Sequence, residues 1–230
     1  MKNKHLSFSF VIPTFNDTLK LYESLKYLQK FLSEKYLNNF EVIIVNDGGE
    51  FIDNNRLVME CRIINLPKNL GKGGAVSAGV EYAKKEYIVI VDSDIPFYLN
   101  ILLSIEKNDV CLFSNRFYKT SVYHSMIPLK RKCASYIFKF LIYLIFRIKE
   151  DTQCGYKVYK NELCKAIYKE LSTKGYAFDV EATLLVKEKK IEIKEFDVQL
   201  REYQHSRISL MSDVLPMLKD TANIYTKRKK

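Results

Sequence analysis

Hydrophobic positions in the first half of the chain alternate between two rhythms. Ser7–Pro13 forms a short strand-like run, and Leu21, Tyr22, Leu25, Leu28 and Leu32 then recur at the three-and-four spacing of one helix face. A strand followed by an amphipathic helix is a βα unit. Phe40–Val45 (FEVIIV), Arg62–Leu66 (RIINL), Tyr87–Val91 (YIVIV) and Val110–Phe113 (VCLF) follow as compact runs separated by helical or loop segments. Runs that are apolar at successive rather than alternate positions suit parallel strands covered on both faces. The first half therefore reads as a doubly wound, mostly parallel α/β sheet.

In the second half, Lys130–Lys149 is an apolar segment with basic flanks, and Gly155–Tyr159 reads as a strand. Helices are expected near Asn161–Leu171 and Asp179–Lys189, and IEIKEFDVQL alternates as a strand over Ile191–Leu200. No internal repeat and no Pro- or Gly-rich linker divides the chain, so residues 1–230 read as a single domain.

Doubly wound sheets bind ligands beyond the carboxyl ends of their strands. Polar residues gather at those ends: Asp17 after the first strand, Asp47 after the second, Asp92 and Asp94 after the fourth, and Arg116 after the fifth. The stretch YIVIVDSD runs an apolar strand straight into two carboxylates. In extended chain, residues two apart point the same way, so Asp92 and Asp94 can face one point. Two carboxylates converging there repel unless a cation lies between them, and Mg²⁺ is commonly held by one or two carboxylates plus nucleotide phosphates. The competing reading makes Asp94 a helix cap after Pro96 and lets Asp92 close a turn.

Composition narrows this picture only slightly. Thirty-seven basic against 27 acidic residues leave a formal net charge of +10, which favours anionic partners: nucleotides, phosphorylated lipids, nucleic acid or an acidic membrane surface. The 5 cysteines show no CxxC spacing and are odd in number, so they read as reduced thiols rather than a disulfide or zinc framework. No apolar run reaches the roughly 18 to 20 residues that span a bilayer, and the N-terminal apolar run lacks a cleavage pattern. Ser135–Lys149 (SYIFKFLIYLIFRIK), with Lys139, Arg147 and Lys149 interrupting it, suits either a helix lying on a membrane surface or a buried helix or dimer contact. The basic tail Lys227–Lys230 reads as a solvated end that could add attraction to anionic lipid.

Seven segments in order resemble inverting glycosyltransferases of family 2. They are VIPTFND (11–17), VNDGGE (45–50), NLGKGGAVSAGVEYAKKEYIVIVDSD (69–94), SNR (114–116), DTQCGYKVY (151–159), YAFDVE (176–181) and REYQHSR (201–207). The resemblance is strongest to the polyprenyl-phosphate branch, and GKGGAV, DTQCGYKVY and FDVE are especially similar to dolichyl-phosphate β-glucosyltransferases. It implies a GT-A type fold with a Rossmann-like nucleotide-sugar half at 1–116 and an acceptor-binding half at 117–230. Carried over by motif, Pro13, Phe15 and Asp17 line the nucleotide pocket, Asp47 contacts the base, and Lys72 lies on the glycine-rich turn. Asp92, Ser93 and Asp94 form the DxD element, whose carboxylates hold Mg²⁺ or Mn²⁺ and the donor diphosphate. Arg201 and Arg207 close over the phosphates, and Arg116, Arg131 and Ser135 grip the acceptor phosphate. Asp94, Arg116 and Arg131 are the expected catalytic residues.

The pattern also departs from the family. Asp17 stands for the commoner Glu, Asn46 for the first Asp of a DDGS-like motif, and Pro96 for the metal-binding Gln of mannose synthases. The last departure favours the glucosyl branch and removes a protein metal contact. The N-terminal anchor helix of eukaryotic glucosyltransferases is missing, which implies a bacterial-type or soluble relative working in the cytoplasm at the inner face of the membrane.

A phosphate monoester with a second pKa of about 6 is already largely dianionic at neutral pH, so such an acceptor needs cations more than a base. Arginine suits that task. UDP-glucose and a polyprenyl phosphate are the expected substrates, with transfer to a saccharide hydroxyl as the alternative. Asp179 and Glu181 are left open between helix start, a sugar or acceptor contact, and a catalytic base. A nucleotidyltransferase is less favoured, because its basic glycine-rich loop after the first strand is replaced by PTFND. GKGGAV lacks GxGxxG and GxxxxGK[ST] spacing, and a nucleic-acid-binding module would leave the strand-end aspartates unexplained.

Overall fold

The computed structural model describes residues 6–35, 37–117, 128–201 and 214–228. Among these, β1 (Phe8–Thr14), β2 (Phe40–Asn46), β3 (Arg62–Asn65), β4 (Tyr87–Ile90), β5 (Cys111–Asn115), β6 (Lys157–Lys160) and β7 (Lys194–Asp197) form one 7-stranded sheet ordered β3-β2-β1-β4-β6-β5-β7. Pairings β1–β2, β1–β4, β2–β3 and β5–β7 are parallel, whereas β6 runs antiparallel to both β4 and β5. The sheet is thus mostly parallel, as the apolar runs imply. What they do not disclose is that β6 separates β4 from β5.

The helices are α1 (Thr18–Glu34), α2 (Lys72–Tyr82), α3 (Leu129–Phe146), α4 (Asn161–Glu170), α5 (Phe178–Glu188) and α6 (Val214–Arg228). Alternate strand residues feed opposite cores: Phe10, Ile12, Ile44 and Val89 pack with Leu21, Leu25 and Leu28 of α1, while Val11, Ile43, Val45 and Ile90 pack with α2, α4 and α5. Burying each such aliphatic side chain contributes roughly 1.5–3 kcal/mol. Close approach of α2 to the sheet depends on Gly79, where a Cβ would come within 2.5 Å of Val11 Cγ1. A third cluster joins Ile142 of α3, Val180 of α5 and Ile224 of α6.

Two strand expectations are corrected. β3 is not covered on both faces: Arg62 and Asn65 are exposed, as its edge position allows, and the Arg62 guanidinium lies over the Tyr82 ring at 4.6 Å. The alternating Ile191–Leu200 segment pairs in the sheet only over Lys194–Asp197. Beyond it the chain turns away to meet the segment after β4, through a Phe97–Leu200 bridge and the bond from Tyr98 N–H to Gln199 O (3.0 Å).

Candidate active site

The acidic pair stands just past β4 in a tight turn rather than in extended chain. Ile95 N–H donates to Asp92 O at 3.0 Å, and Ile95 takes φ 34, a left-handed value that is costly for a β-branched residue. The surroundings hold it there. Its side chain is buried, Arg201 Nε donates to Ile95 O at 3.3 Å, Arg201 Nη2 to Asp94 O at 3.4 Å, and Arg201 N–H to Pro96 O at 2.7 Å. The Arg201 guanidinium also covers the Tyr27 ring at 4.3 Å. The turn, rather than strand alternation, brings Asp92 and Asp94 together, with half-buried Ser93 between them. The helix-cap reading of Asp94 is not what forms, since the short 3₁₀ segment Asn100–Leu103 starts after Leu99.

Lys72, expected on a turn, is instead the first residue of α2, and its Nζ lies 2.5 Å from Asp92 Oδ1. Burial opposes ionisation of Asp92, yet the neighbouring Lys72, with Lys157 and Arg116 beyond it, holds its carboxyl below the usual range. Asp94 has the reverse fate: burial, reinforced by the charge of Asp92, pushes its carboxyl up to about 6. A value raised on folding means that the folded state favours protonated Asp94, a contribution present in acid and lost as pH rises through about 6. Asp94→Asn should therefore raise the melting temperature of chelator-treated protein near pH 7.5. The gain should fade as pH is lowered below 6, and a variant that melts below the wild type at pH 7.5 would refute repulsion between the pair.

Around the expected nucleotide pocket, Pro13 is buried in β1 beside Val45 while Phe15 is 45% exposed. Asp17 occupies the N-cap position of α1 without a side-chain cap bond, its Oδ2 4.0 Å from Lys20 Nζ. Asn46 orders the turn after β2: Nδ2 donates to Glu50 O (2.9 Å) and Asn65 Oδ1 (3.1 Å), while Oδ1 accepts from Gly49 N–H (3.0 Å). A carboxylate could not make the two donations. Asp47, expected at the base, is buried, and its oxygens accept from Leu70 N–H (2.7 Å) and Gly71 N–H (3.0 Å). Burial lifts its carboxyl above the usual range against the pull of those amides. Next along, Gly73 and Gly74 N–H donate to Lys174 O, so protein acceptors already take up the amide-rich start of α2.

The segment following α3 supplies the most constrained part of the site. Asp151, 2% exposed, receives Arg116 Nε at 2.8 Å and Nη2 at 2.8 Å as a paired fork, plus Arg116 N–H at 3.0 Å. Burial opposes the charge on Asp151, but Arg116 keeps its carboxyl below the usual range. Arg116, expected to grip a phosphate, is thus first a structural clamp joining the end of β5 to the 151–155 turn. Lys157 of β6 is 1% exposed and donates to Thr152 O (3.0 Å), Cys154 O (2.8 Å) and Asp179 Oδ1 (2.5 Å). Asp179 lies in the first turn of α5, where burial raises its carboxyl against the attraction of Lys157 and Lys72. Glu181 accepts from Ser172 N–H, Ser172 Oγ and Thr173 N–H at 3.1, 2.8 and 2.7 Å, tying down the loop before α5.

Asp151, Gly155 and Lys157 lie in DTQCGYKVY, but no role attaches to them individually from local pattern. A lysine inside the apolar run GYKVY was the available signal, because a buried ammonium requires several acceptors. Ser135 sits half-buried on α3, and Arg131 belongs to the same helix by its backbone, its side chain lying outside the described residues. Arg207, the histidines 5, 124 and 205, and the last two residues of the basic tail also lie outside them. Carboxylate oxygens are hard donors that suit Mg²⁺ or Mn²⁺, and the mutual repulsion of Asp92 and Asp94 is what a cation would relieve. No group of three or more potential ligands occurs among the described residues, so diphosphate and water would have to complete the shell.

A mostly parallel sheet thus carries an acidic turn past its central strand, with Lys72 and Arg201 beside it. The family model "Glycosyl transferase family 2" matches residues 9–162, and the chain belongs to that family of glycosyltransferases. Dolichyl-phosphate beta-glucosyltransferase of Saccharomyces cerevisiae is 29% identical over 249 residues, covering 95% of this chain and 74% of that protein. Among solved structures, mannosyl-3-phosphoglycerate synthase from Rubrobacter xylanophilus aligns with TM-score 0.69 at 15% identity, covering 97% of this chain and 74% of that one. Glucosyl-3-phosphoglycerate synthase from Mycobacterium tuberculosis, solved with Mn²⁺, uridine-diphosphate-glucose and phosphoglyceric acid, aligns with TM-score 0.68 at 13% identity, covering 97% and 80%. At these identities the two structures show the shared fold.

Proposed function

We propose that the protein transfers glucose from UDP-glucose to a polyprenyl phosphate of the dolichyl type, with inversion at the anomeric carbon. The observation that carries the acceptor class is the state of the carboxylates beyond the acidic turn. Asp151 is held by Arg116, Asp179 by Lys157, and Glu181 by the 172–173 loop. None of the three stands poised to take a proton from a hydroxyl, and an acceptor that arrives as a phosphate needs none taken. The glucosyl and dolichyl parts rest on the yeast relative, and the uridine part on the fold neighbour that carries UDP-glucose.

In this reading Asp92 and Asp94 hold Mg²⁺ or Mn²⁺ against the donor diphosphate, and the cation offsets charge on the leaving group as the anomeric bond breaks. Lys72 and Arg201 flank the same turn and add positive charge there. Pro13, Phe15 and Asp17 face the nucleoside, while Asp47 sets the start of α2 and through it the position of Lys72. Arg131, Ser135 and Arg207 remain assigned to the acceptor or donor phosphates by motif. The test is a side-by-side transfer assay with UDP-glucose and GDP-mannose as donors, and polyprenyl phosphate, polyprenol and simple sugars as acceptors. Product from the phosphate lipid and UDP-glucose is expected. Transfer to polyprenol or free sugar with the phosphate lipid inert would end this reading.

A lipid acceptor also calls for a membrane contact, which we assign to α3. Among the described residues no helix is long and apolar enough to cross a bilayer. Ile137 is nevertheless 61% exposed, Phe140 58% and Leu144 47%, at the three-and-four spacing of one helical face. Lys139 Nζ lies over the Phe117 ring at 4.4 Å. Ile137→Ser/Phe140→Ser/Leu144→Ser should therefore abolish co-flotation with anionic liposomes while leaving UDP binding unchanged, and flotation equal to wild type would rule this face out.

A further inference from the structure

Gly155, just before β6, lies against the acidic turn that follows β4. A Cβ placed on it would fall 2.1 Å from Asp92 Oδ2 and 2.5 Å from Asp92 Cγ. The Gly155 backbone is therefore a wall against which the Asp92 carboxylate rests, with Lys72 meeting its other oxygen at 2.5 Å. Rotation of the carboxylate toward Gly155 is blocked, and any side chain at 155 would push it away.

The wall is itself braced at several points. Lys157 draws the carbonyls of Thr152 and Cys154 onto one buried ammonium at 3.0 and 2.8 Å, and Asp179 of α5 anchors that ammonium at 2.5 Å. Asp151 fixes the start of the turn through the Arg116 fork, and Ser114 N–H donates to Tyr156 O at 3.1 Å just past its end. Backbone register places Lys157 opposite Ile90, the last residue of β4. The brace thus sits on the strand beside β4, whose end leads into the turn that carries Asp92. An ammonium with three acceptors costs far less to bury than an unpartnered one, and its geometry is correspondingly rigid.

We infer that the 151–155 turn is a positioning element for Asp92, with Gly155 as its contact surface and Lys157 as the positioning residue that holds it in place. Lys157 touches neither donor nor metal in this scheme. It acts by fixing the oxygen direction of a ligand, the role that outer-shell partners play when their loss weakens metal affinity by about 10–100-fold. The inference rests on the assignment of Asp92 to the metal, and its test reads metal binding in the absence of acceptor.

Mn²⁺ binding in the presence of UDP is to be measured by electron paramagnetic resonance on the full chain. Gly155→Ala is expected to raise the Mn²⁺ dissociation constant about 10-fold or more and to alter the spectrum of the bound ion. Lys157→Met/Asp179→Asn removes the buried pair together and so leaves no lone charge behind. It should show the same weakened binding with a circular dichroism spectrum like that of the wild type. Should Gly155→Ala fail to fold, the double variant decides. Wild-type Mn²⁺ affinity in either folded variant overturns the inference, and a wild-type protein that binds no Mn²⁺ with UDP overturns the metal assignment along with it.

Discussion

Asp94→Ala should cut sugar transfer by about a thousand-fold or more, since it removes one of the two carboxylates proposed to hold the cation against the donor diphosphate. Folding should survive. Asp94 is raised to about 6 by burial and by the charge of Asp92, so losing its carboxylate relieves repulsion in the metal-free protein. Asp92→Ala should be as damaging to turnover for a different reason: it removes a ligand and also frees Lys72 from its partner at 2.5 Å. That ammonium is 24% exposed and can regain water, so the stability cost is modest. Turnover and thermal melting measured on both variants separate chemistry from folding. Residual activity above a tenth of wild type in Asp94→Ala, or undiminished wild-type turnover in excess chelator, would remove metal from the mechanism.

Arg116→Ala is expected to be strongly destabilising, costing about 3–5 kcal/mol by leaving the buried Asp151 carboxylate without its paired guanidinium. Arg116→Lys should recover little of this, because a point-like ammonium cannot reproduce two parallel bonds of 2.8 Å. Asp151 has its carboxyl held below the usual range by Arg116 in spite of burial. The stabilisation it provides is therefore present above the unfolded value of about 3.9 and lost as pH falls through the lower folded value. Urea unfolding at pH 7 should show the full gap between wild type and Arg116→Ala, and unfolding in strong acid a smaller one. A gap under about 1 kcal/mol at pH 7 would mean that Arg116 serves ligand rather than fold.

The strands of the first half were legible because each is a run of apolar residues buried from both sides, and burial on two faces leaves no room for ambiguity of period. The acidic turn was legible because two carboxylates beside an apolar strand have no packing role. What escaped the sequence depends on pairings between distant segments. Arg116 reads as a free cation until Asp151 is folded against it. The bonds from the amides of Leu70 and Gly71 to Asp47 join segments more than twenty residues apart. Asp92 and Asp94 were expected in extended chain, whereas they stand in a turn closed by the Ile95 N–H to Asp92 O bond and held by Arg201, which donates to the carbonyls of Asp94, Ile95 and Pro96. Neither cause leaves a local pattern.

The position of β6 bears on how the chain acquires its shape during synthesis. β5 has no bond to β4, and its neighbours in the sheet, β6 and β7, are both encoded after it. At about 5–20 residues per second, roughly 2 to 8 s separate the appearance of Asn115 from that of Lys157. Through that interval Cys111–Asn115, buried at every position in the finished protein, lacks both of its native sheet neighbours. The four strands β1 to β4 can associate as they emerge, but the edge of β4 stays open until β6 docks and brings β5 in behind it. A nascent chain of this transferase is therefore most vulnerable to misassociation late, when its first four strands are already paired, and a chaperone acting on it would find its substrate in that open edge.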